Sequence, residues 1–150
     1  MHQEFDNDLL ALYSLALRIA TEKHDGQFDK SGQPYIGHPI RVAARCAGMK
    51  AKIVALLHDT IEDTDVTPDY LRENGFPEEI INALLSVSKH EGEPYDEYIR
   101  RASQNSLGRI VKIADLEDNM DIRRLKQITE KDVKRLVKYL RSWRFLNGLE

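Results

Sequence analysis

The chain offers little for covalent cross-linking or membrane insertion. Its 150 residues include one cysteine, Cys46, so no internal disulfide can form and a cross-linked secreted scaffold is excluded. Cys46 sits among apolar positions in RVAARCAG and reads as a small buried residue. No run approaches the ~18 continuous apolar residues of a membrane span. The opening segment MHQEFDND is acidic and lacks the basic-then-apolar layout of a secretory signal. There is no repeat, no low-complexity tract and no linker long enough to separate a second domain. Nor is there a surplus of positive charge. The net charge of −3 argues against bulk binding to nucleic-acid polymers or anionic membranes, while leaving room for a local basic pocket. Together these absences suggest a soluble cytoplasmic protein whose residues 1–150 form one domain.

What is present is an ordinary globular balance, 41% hydrophobic and 31% charged, on a chain long enough for a true core. The pattern is helical almost throughout. In DNDLLALYSLALRIATEKH, the residues Leu9, Leu12, Leu15 or Ala16, and Ile19 recur at spacings of three and four. Asp6 or Asn7 is the expected cap, and HDG at 24–26 the stop. FDKSGQPYIGHP reads as a loop. Pro39 suits the first position of a helix over 39–48, and another helix is expected over 51–62. Thr67 with Pro68, and Pro77 with its following glutamates, open two more. PYDEYIRRASQ and LGRIVKIADLEDNM add two, and Thr129 with Asp132 resembles a capping box for the last. That last helix is expected to present Val133, Leu136, Val137, Leu140 and Trp143 inward, and Lys131, Lys134, Lys138 and Arg141 outward. No convincing alternating strand appears. The fold class is all-α, a bundle of seven to eight helices without significant sheet.

One stretch breaks the plain pattern. LHDTIED ends the apolar run Ile53–Leu57 with His58, Asp59, Glu62 and Asp63. On a continuous helix all four share a sector of about 140° beside an apolar arc. Carboxylates and an imidazole on one inward sector repel unless a cation joins them, and His with Asp oxygens suit a borderline metal such as Mn²⁺, Fe²⁺ or Zn²⁺. An adjacent His-Asp pair is too few ligands. His38, just before Pro39, and Asp115, which ends the apolar IVKIA, are the further candidates. Lys112 reads equally as a phosphate partner or a solvated helix lysine. His90 looks like part of an exposed turn, and His24 like a helix terminator.

The segments KHDGQFDKSGQPYIGHPIRVA, ALLHDTIEDTDVT and RIVKIADLEDNMD resemble, in order and at compatible separations, the HD-domain hydrolases of the RelA/SpoT type, and more closely their short stand-alone bacterial forms. The resemblance spans roughly residues 10–125 and implies an HD-domain helical bundle. It implies a divalent metal, Mn²⁺ above all, held by His38, His58, Asp59 and Asp115, with Glu62 and Asp63 acting on the attacking water. It also implies removal of pyrophosphate from the 3′ position of (p)ppGpp, with Lys30, Ser31 and Asn119 on the substrate side. The partner expected is thus a small nucleotide or phosphoester, and self-association remains open.

Departures fall on the substrate side. The family's R-K-S-G becomes D-K-S-G, so Asp29 replaces an arginine that packs on the base. After the metal Asp, the Arg, His and Thr positions become Leu116, Asp118 and Ile122. A carboxylate cannot replace an arginine's charge and stacking, and added acids oppose binding of a highly anionic nucleotide. The alternatives are the same metal chemistry on another substrate, such as an NADPH phosphatase-like reaction, or a nucleotide-binding HD module without turnover.

Overall fold

A computed structural model describes residues 2–149, with the side chains described from residue 8 onward. In chain order the α-helices are α1 His2–Lys23, α2 Gly37–Arg45, α3 Met49–Leu57, α4 Thr60–Asp63, α5 Pro68–Glu73, α6 Glu78–Ser86, α7 Tyr95–Ser103, α8 Ser106–Asn119 and α9 Glu130–Leu146; a 3₁₀ turn spans Ile122–Arg124. The fold is all-α as expected. One isolated bridge, Phe28 with Pro34, is the only β pairing among the described residues. No described helix is long and apolar enough to cross a membrane.

α3 occupies the centre. Ala51, Ile53, Val54, Ala55, Leu56 and Leu57 are all buried, and a helix apolar on nearly every side belongs inside a domain. It packs against α1, α2, α6 and α8. Each fully buried Val, Ile or Leu contributes about 1.5–3 kcal/mol relative to exposure. Cys46 joins this core. A smaller core of Tyr98, Ile99, Leu116 and Leu146 links α7, α8 and α9. α8 therefore serves both cores, and its C-terminal half meets α2 and α3 between them.

Several boundaries differ from the sequence expectation. α1 begins at His2, so Asp6 and Asn7 lie inside the helix rather than capping it. Nothing in residues 2–7 is a Gly, Pro or β-branched residue that would halt the helix. Their side chains lie outside the described residues. α2 starts at Gly37, which leaves Pro39 within the first turn, where a missing N–H is tolerated. The helix expected over 51–62 breaks after Leu57. There the Thr60 hydroxyl donates to the Leu57 carbonyl at 2.7 Å, and the His58 Nδ1–H to the Ala55 carbonyl at 2.6 Å. Side chains thus occupy carbonyls that a continuous helix would give to backbone N–H groups.

The largest correction is α9. Its capping box forms as expected, but Val133, Val137 and Leu140 are exposed. Ser142 and Leu146 are the residues it buries, with Tyr139 and Trp143 packed beside the smaller core. The aliphatic stripe was the stronger periodic signal. The facing surface of α7 and α8 instead accommodates aromatic rings and a small hydroxyl.

Gly108 is where α8 approaches α6. A Cβ at this position would stand 2.0 Å from Ser86 Oγ and 3.3 Å from Ser86 Cβ, and Ser86 is buried and donates to the Ala83 carbonyl. Gly108→Ala should therefore lower unfolding free energy in urea titration by about 1–3 kcal/mol. Unchanged stability would mean that the α6–α8 contact has slack.

Candidate metal centre

The centre forms where the first turn of α2, the α3–α4 break and α8 converge. α2 supplies His38, the break supplies His58 and Asp59, and α8 supplies Asp115. Candidate ligand atoms of His38, His58 and Asp115 lie within 4.8 Å of one another. Nε2 of His38 is 2.8 Å from Asp115 Oδ1 and 3.8 Å from Asp59 Oδ2. Nε2 of His58 is 3.0 Å from Asp59 Oδ2 and 3.3 Å from Asp115 Oδ1. The four residues expected from the sequence are thus brought together.

The donor set fits a divalent ion. His58 Nδ1 is engaged by Ala55, while its buried Nε2 has no hydrogen-bond partner. This orphaned nitrogen faces two carboxylate oxygens. Ligands bound at about 2.1 Å around one ion stand roughly 3 Å apart, the spacing found here. Two imidazoles with two carboxylates suit Mn²⁺, Fe²⁺ or Zn²⁺.

The charges compensate one another. Burial alone would push the His58 imidazole down, but Asp59 and Asp115 outweigh it and hold its pKa well above the usual value. His38 is raised in the same way by Asp115 and Asp118. Burial would raise the Asp59 pKa, yet His58 brings it down to about 2. Asp115 is likewise held well below the usual range, by Lys112 and the two imidazoles. Lys112 is buried, with Nζ 2.8 Å from Asp115 Oδ2 and 4.9 Å from the Tyr98 ring centroid. It is not a solvated helix lysine.

Glu62 and Asp63 diverge. Glu62 lines a cavity of about 380 Å³ together with His38, Asp59, Asp115, Lys112 and Asn119. Its Oε1 accepts the Lys89 backbone N–H. Burial is the main cause that raises its pKa, opposed by that N–H and reinforced by Asp59 and Asp63. The loop that presents Lys89 is clamped by Arg101, which donates to the Leu85 and Ser88 carbonyls at 2.7 Å each and to Glu93 at 2.9 and 3.0 Å. Glu62 and Asp63 are both exposed, but Asp63 lines neither this cavity nor its neighbour; partial burial followed by Asp59 raises its pKa too.

The neighbouring cavity, about 300 Å³, shares Tyr35, His38 and Asn119 with the first. Lys30 and Ser31 line it. Asn119 donates to Asp115 Oδ1 at 3.1 Å. The departures noted in the sequence take different places. One oxygen of Asp29 accepts the N–H groups of Ser31 and Gln33, both at 2.9 Å, so this acid organises its own turn. Leu116 is buried in the smaller core. Ile122 lines the cavity. Asp118 is fully buried and hydrogen-bonded to His38 Nδ1 at 2.7 Å. The expectation that these acids crowd an anionic ligand is corrected for Asp118, which is buried and engaged within the protein; Asp29 lines the cavity, with one oxygen held by its own turn.

Sequence reasoning missed Tyr35. Its hydroxyl donates to Asp59 Oδ2, and burial followed by Asp59 pushes its pKa up, so it stays a donor. The signal was its position three residues before His38, the spacing of neighbours on a helical turn. His24 ends α1 as expected, and its buried ring also packs against Tyr35 at 5.0 Å. His90 is exposed, as expected.

An all-α frame with a buried His-Asp cluster agrees with the HD-type bundle expected from the sequence. No family model matches the chain. It is 36% identical over 117 residues to a guanosine-3′,5′-bis(diphosphate) 3′-pyrophosphohydrolase of Aquifex aeolicus, which covers 70% of this chain and 17% of the relative. It is 33% identical over 134 residues to a probable GTP pyrophosphokinase of Mycobacterium leprae, covering 80% and 17% respectively. The chain thus spans less than a fifth of the length of these curated relatives. A solved structure described as a metazoan ortholog of SpoT that hydrolyzes ppGpp matches 91% of this chain and 85% of that one, with a TM-score of 0.74 at 22% identity. That likeness carries the fold. The chain is an HD-type, RelA/SpoT hydrolase-like protein.

Metal and protons compete for these sites. A raised imidazole pKa stabilises the metal-free fold below the unfolded value of 6.5, and that contribution is lost as pH rises through the folded value. Stabilisation by added Mn²⁺ should therefore grow with pH. At about 100 times Kd it should reach about 2.7 kcal/mol. Thermal unfolding across pH checks this, and His58→Ala should abolish the metal's effect. A pH-independent shift that survives in this variant would contradict the ligand set.

Proposed function

We propose that residues 1–150 form a single HD-type hydrolase domain that cleaves a phosphate ester, with a (p)ppGpp-like nucleotide as substrate and pyrophosphate released from its 3′ position. His38, His58, Asp59 and Asp115 are the metal ligands, Mn²⁺ the favoured ion, and the cytoplasm the site of action. The observation that carries this reading is that Glu62 shares one cavity with His38, Asp59 and Asp115. A binding module has no need of a carboxylate aimed at such a centre.

The bound ion would supply Lewis acidity, making water a stronger acid and drawing electron density from a phosphoryl oxygen. Glu62 orients the attacking water and takes its proton. A pKa raised by burial brings this carboxylate closer to the operating pH and makes it a better base. The Lys89 N–H fixes one Glu62 oxygen and leaves the other for water. Asp63, one residue on, supports proton transfer away from Glu62. Lys30, Ser31 and Asn119 bind the substrate. Basic side chains flank the centre on both sides: Lys89, Lys112 and Lys138 in one cavity, Lys30, Arg41, Arg124 and Arg135 in the other. Acids line the same cavities, Asp59, Glu62 and Asp115 in one and Asp29, Asp121 and Asp132 in the other, and Lys112, Arg41, Arg124 and Arg135 are paired with carboxylates; Lys30, Lys89 and Lys138 are the cations best placed for an anionic ligand.

A second reading keeps the chemistry and changes the substrate. Asp29 folds onto its own turn, so no guanidinium from this position stacks on a base. Ile122, Leu125, Leu136 and Tyr139 give the cavity an apolar side that suits other nucleotides, including NADPH.

The test is hydrolysis by Mn²⁺-loaded protein of ppGpp, pppGpp, NADPH, ordinary nucleotides and small phosphoesters. Pyrophosphate from ppGpp, without phosphate from the others, is the predicted result. Phosphate from NADPH alone would favour the second reading, and turnover of none would favour a binding module. Glu62→Gln should keep its metal and lose about 10²–10⁴-fold in kcat. A normal rate would remove Glu62 from the mechanism.

A further inference from the structure

We propose that Asp118 is a positioning residue of the metal centre: its carboxylate accepts the Nδ1–H of His38 and thereby presents Nε2 of that ring to the ion as a lone-pair donor. The inference rests on the reading of His38 as a ligand and deepens it.

The argument starts from the imidazole. A neutral ring has one N–H and one lone pair, and the acceptor beside one nitrogen decides which is which. His38 Nδ1 is 2.7 Å from Asp118 Oδ2, and its Nε2 is 2.8 Å from Asp115 Oδ1. Both nitrogens face carboxylates, so binding of a cation requires one proton to leave. Asp118 retains the proton on Nδ1, and the one on Nε2 departs.

Asp118 is built for this task. A fully buried carboxylate is costly unless it is paired and hydrogen-bonded. Arg41 Nε lies 3.0 Å from its Oδ1 and 3.2 Å from its Oδ2. Arg124 Nη2 reaches Oδ2 at 3.3 Å and donates to the Asp118 backbone carbonyl at 3.0 Å. These two guanidiniums keep the carboxylate charged and fixed. Arg41 and Arg124 also line the 300 Å³ cavity, so the same pairings set that cavity's wall.

The other imidazole provides an internal comparison. His58 Nδ1 donates to the neutral Ala55 carbonyl at 2.6 Å. Both rings are oriented through Nδ1, but only His38 is backed by a charge. An anionic acceptor makes an imidazole the stronger donor to a metal. His38 therefore owes some of its ligand strength to a position where the sequence departs from the family pattern.

Metal titration of Asp118→Asn tests the proposal. The amide keeps the shape and removes the charge. Kd for Mn²⁺, read by competition with a chelator, should weaken about 10- to 100-fold. Asp65→Asn removes an acid that pairs with Lys23 at 2.7 Å and touches neither an imidazole nor Arg41 or Arg124; its Kd should stay within about twofold. Equal affinity in Asp118→Asn and the unmodified protein would overturn the inference. A second measurement avoids substitution. In the ¹H–¹⁵N spectrum of Zn²⁺-loaded unmodified protein, slowly exchanging Nδ1 protons are expected on His38 and His58, besides that of the buried His24, whose Nδ1 lies 2.8 Å from Gln27 Oε1. Absence of the His38 signal, assigned by its loss in His38→Gln, would overturn the proposal even if the Asp118 variant fails to fold. Neither readout uses a substrate. Weakened metal binding without hydrolysis of any nucleotide would uphold the role of Asp118 and sink the phosphohydrolase reading. Hydrolysis with unaltered metal affinity would do the reverse.

Discussion

The Asp115 carboxylate is buried with four nitrogen-bearing side chains around it. His38 Nε2, His58 Nε2 and Asn119 Nδ2 lie 2.8, 3.3 and 3.1 Å from Oδ1, and Lys112 Nζ lies 2.8 Å from Oδ2. These partners come from α2, from the α3–α4 break and from α8 itself. The requirement that this charge be compensated ties three elements of the fold to one point. Removing one partner from such a buried arrangement leaves an uncompensated charge, at a typical cost of about 3–5 kcal/mol. The raised imidazole pKa values and the Lys112 ammonium supply that compensation in the metal-free protein. A divalent ion held by His38, His58, Asp59 and Asp115 would supply positive charge in place of the imidazole protons.

The break after Leu57 shows how local side-chain chemistry shapes this point. The Thr60 hydroxyl and the His58 ring take backbone carbonyls near the end of α3. The chain turns, and His58 and Asp59 occupy the junction rather than the flank of a longer helix. Glu62 then returns to the cavity while Asp63 does not. Equivalent placement of two neighbouring acids in the motif therefore does not make them equivalent in space.

Much of this was legible in the sequence because helical periodicity and an apolar α3 leave few alternatives. The ionisable cluster at 58–63 was visible as charge ending an apolar run. Less could be read where a side chain's partner lies far along the chain. Asp118 looked like an acid opposing an anionic ligand, yet it holds His38, 80 residues away. Asp29 looked similar, and it does line the cavity, but one of its oxygens also satisfies its own turn. The stripe Val133, Val137 and Leu140 had the spacing of a buried face, yet α9 packs on its aromatic and hydroxyl side. Spacing reports which residues share a face, while the surface awaiting that face belongs to other segments.

On the proposed reading, the two cavities beside the centre divide the work between Glu62 and the residues that would hold the rest of the ligand. That reading depends on one ion being held by His38, His58, Asp59 and Asp115. Anomalous diffraction at the Mn²⁺ absorption edge, from crystals of metal-loaded protein, addresses this directly. The account predicts one strong peak bounded by His38 Nε2, His58 Nε2 and oxygens of Asp59 and Asp115. A peak elsewhere, or none at saturating metal, would contradict it.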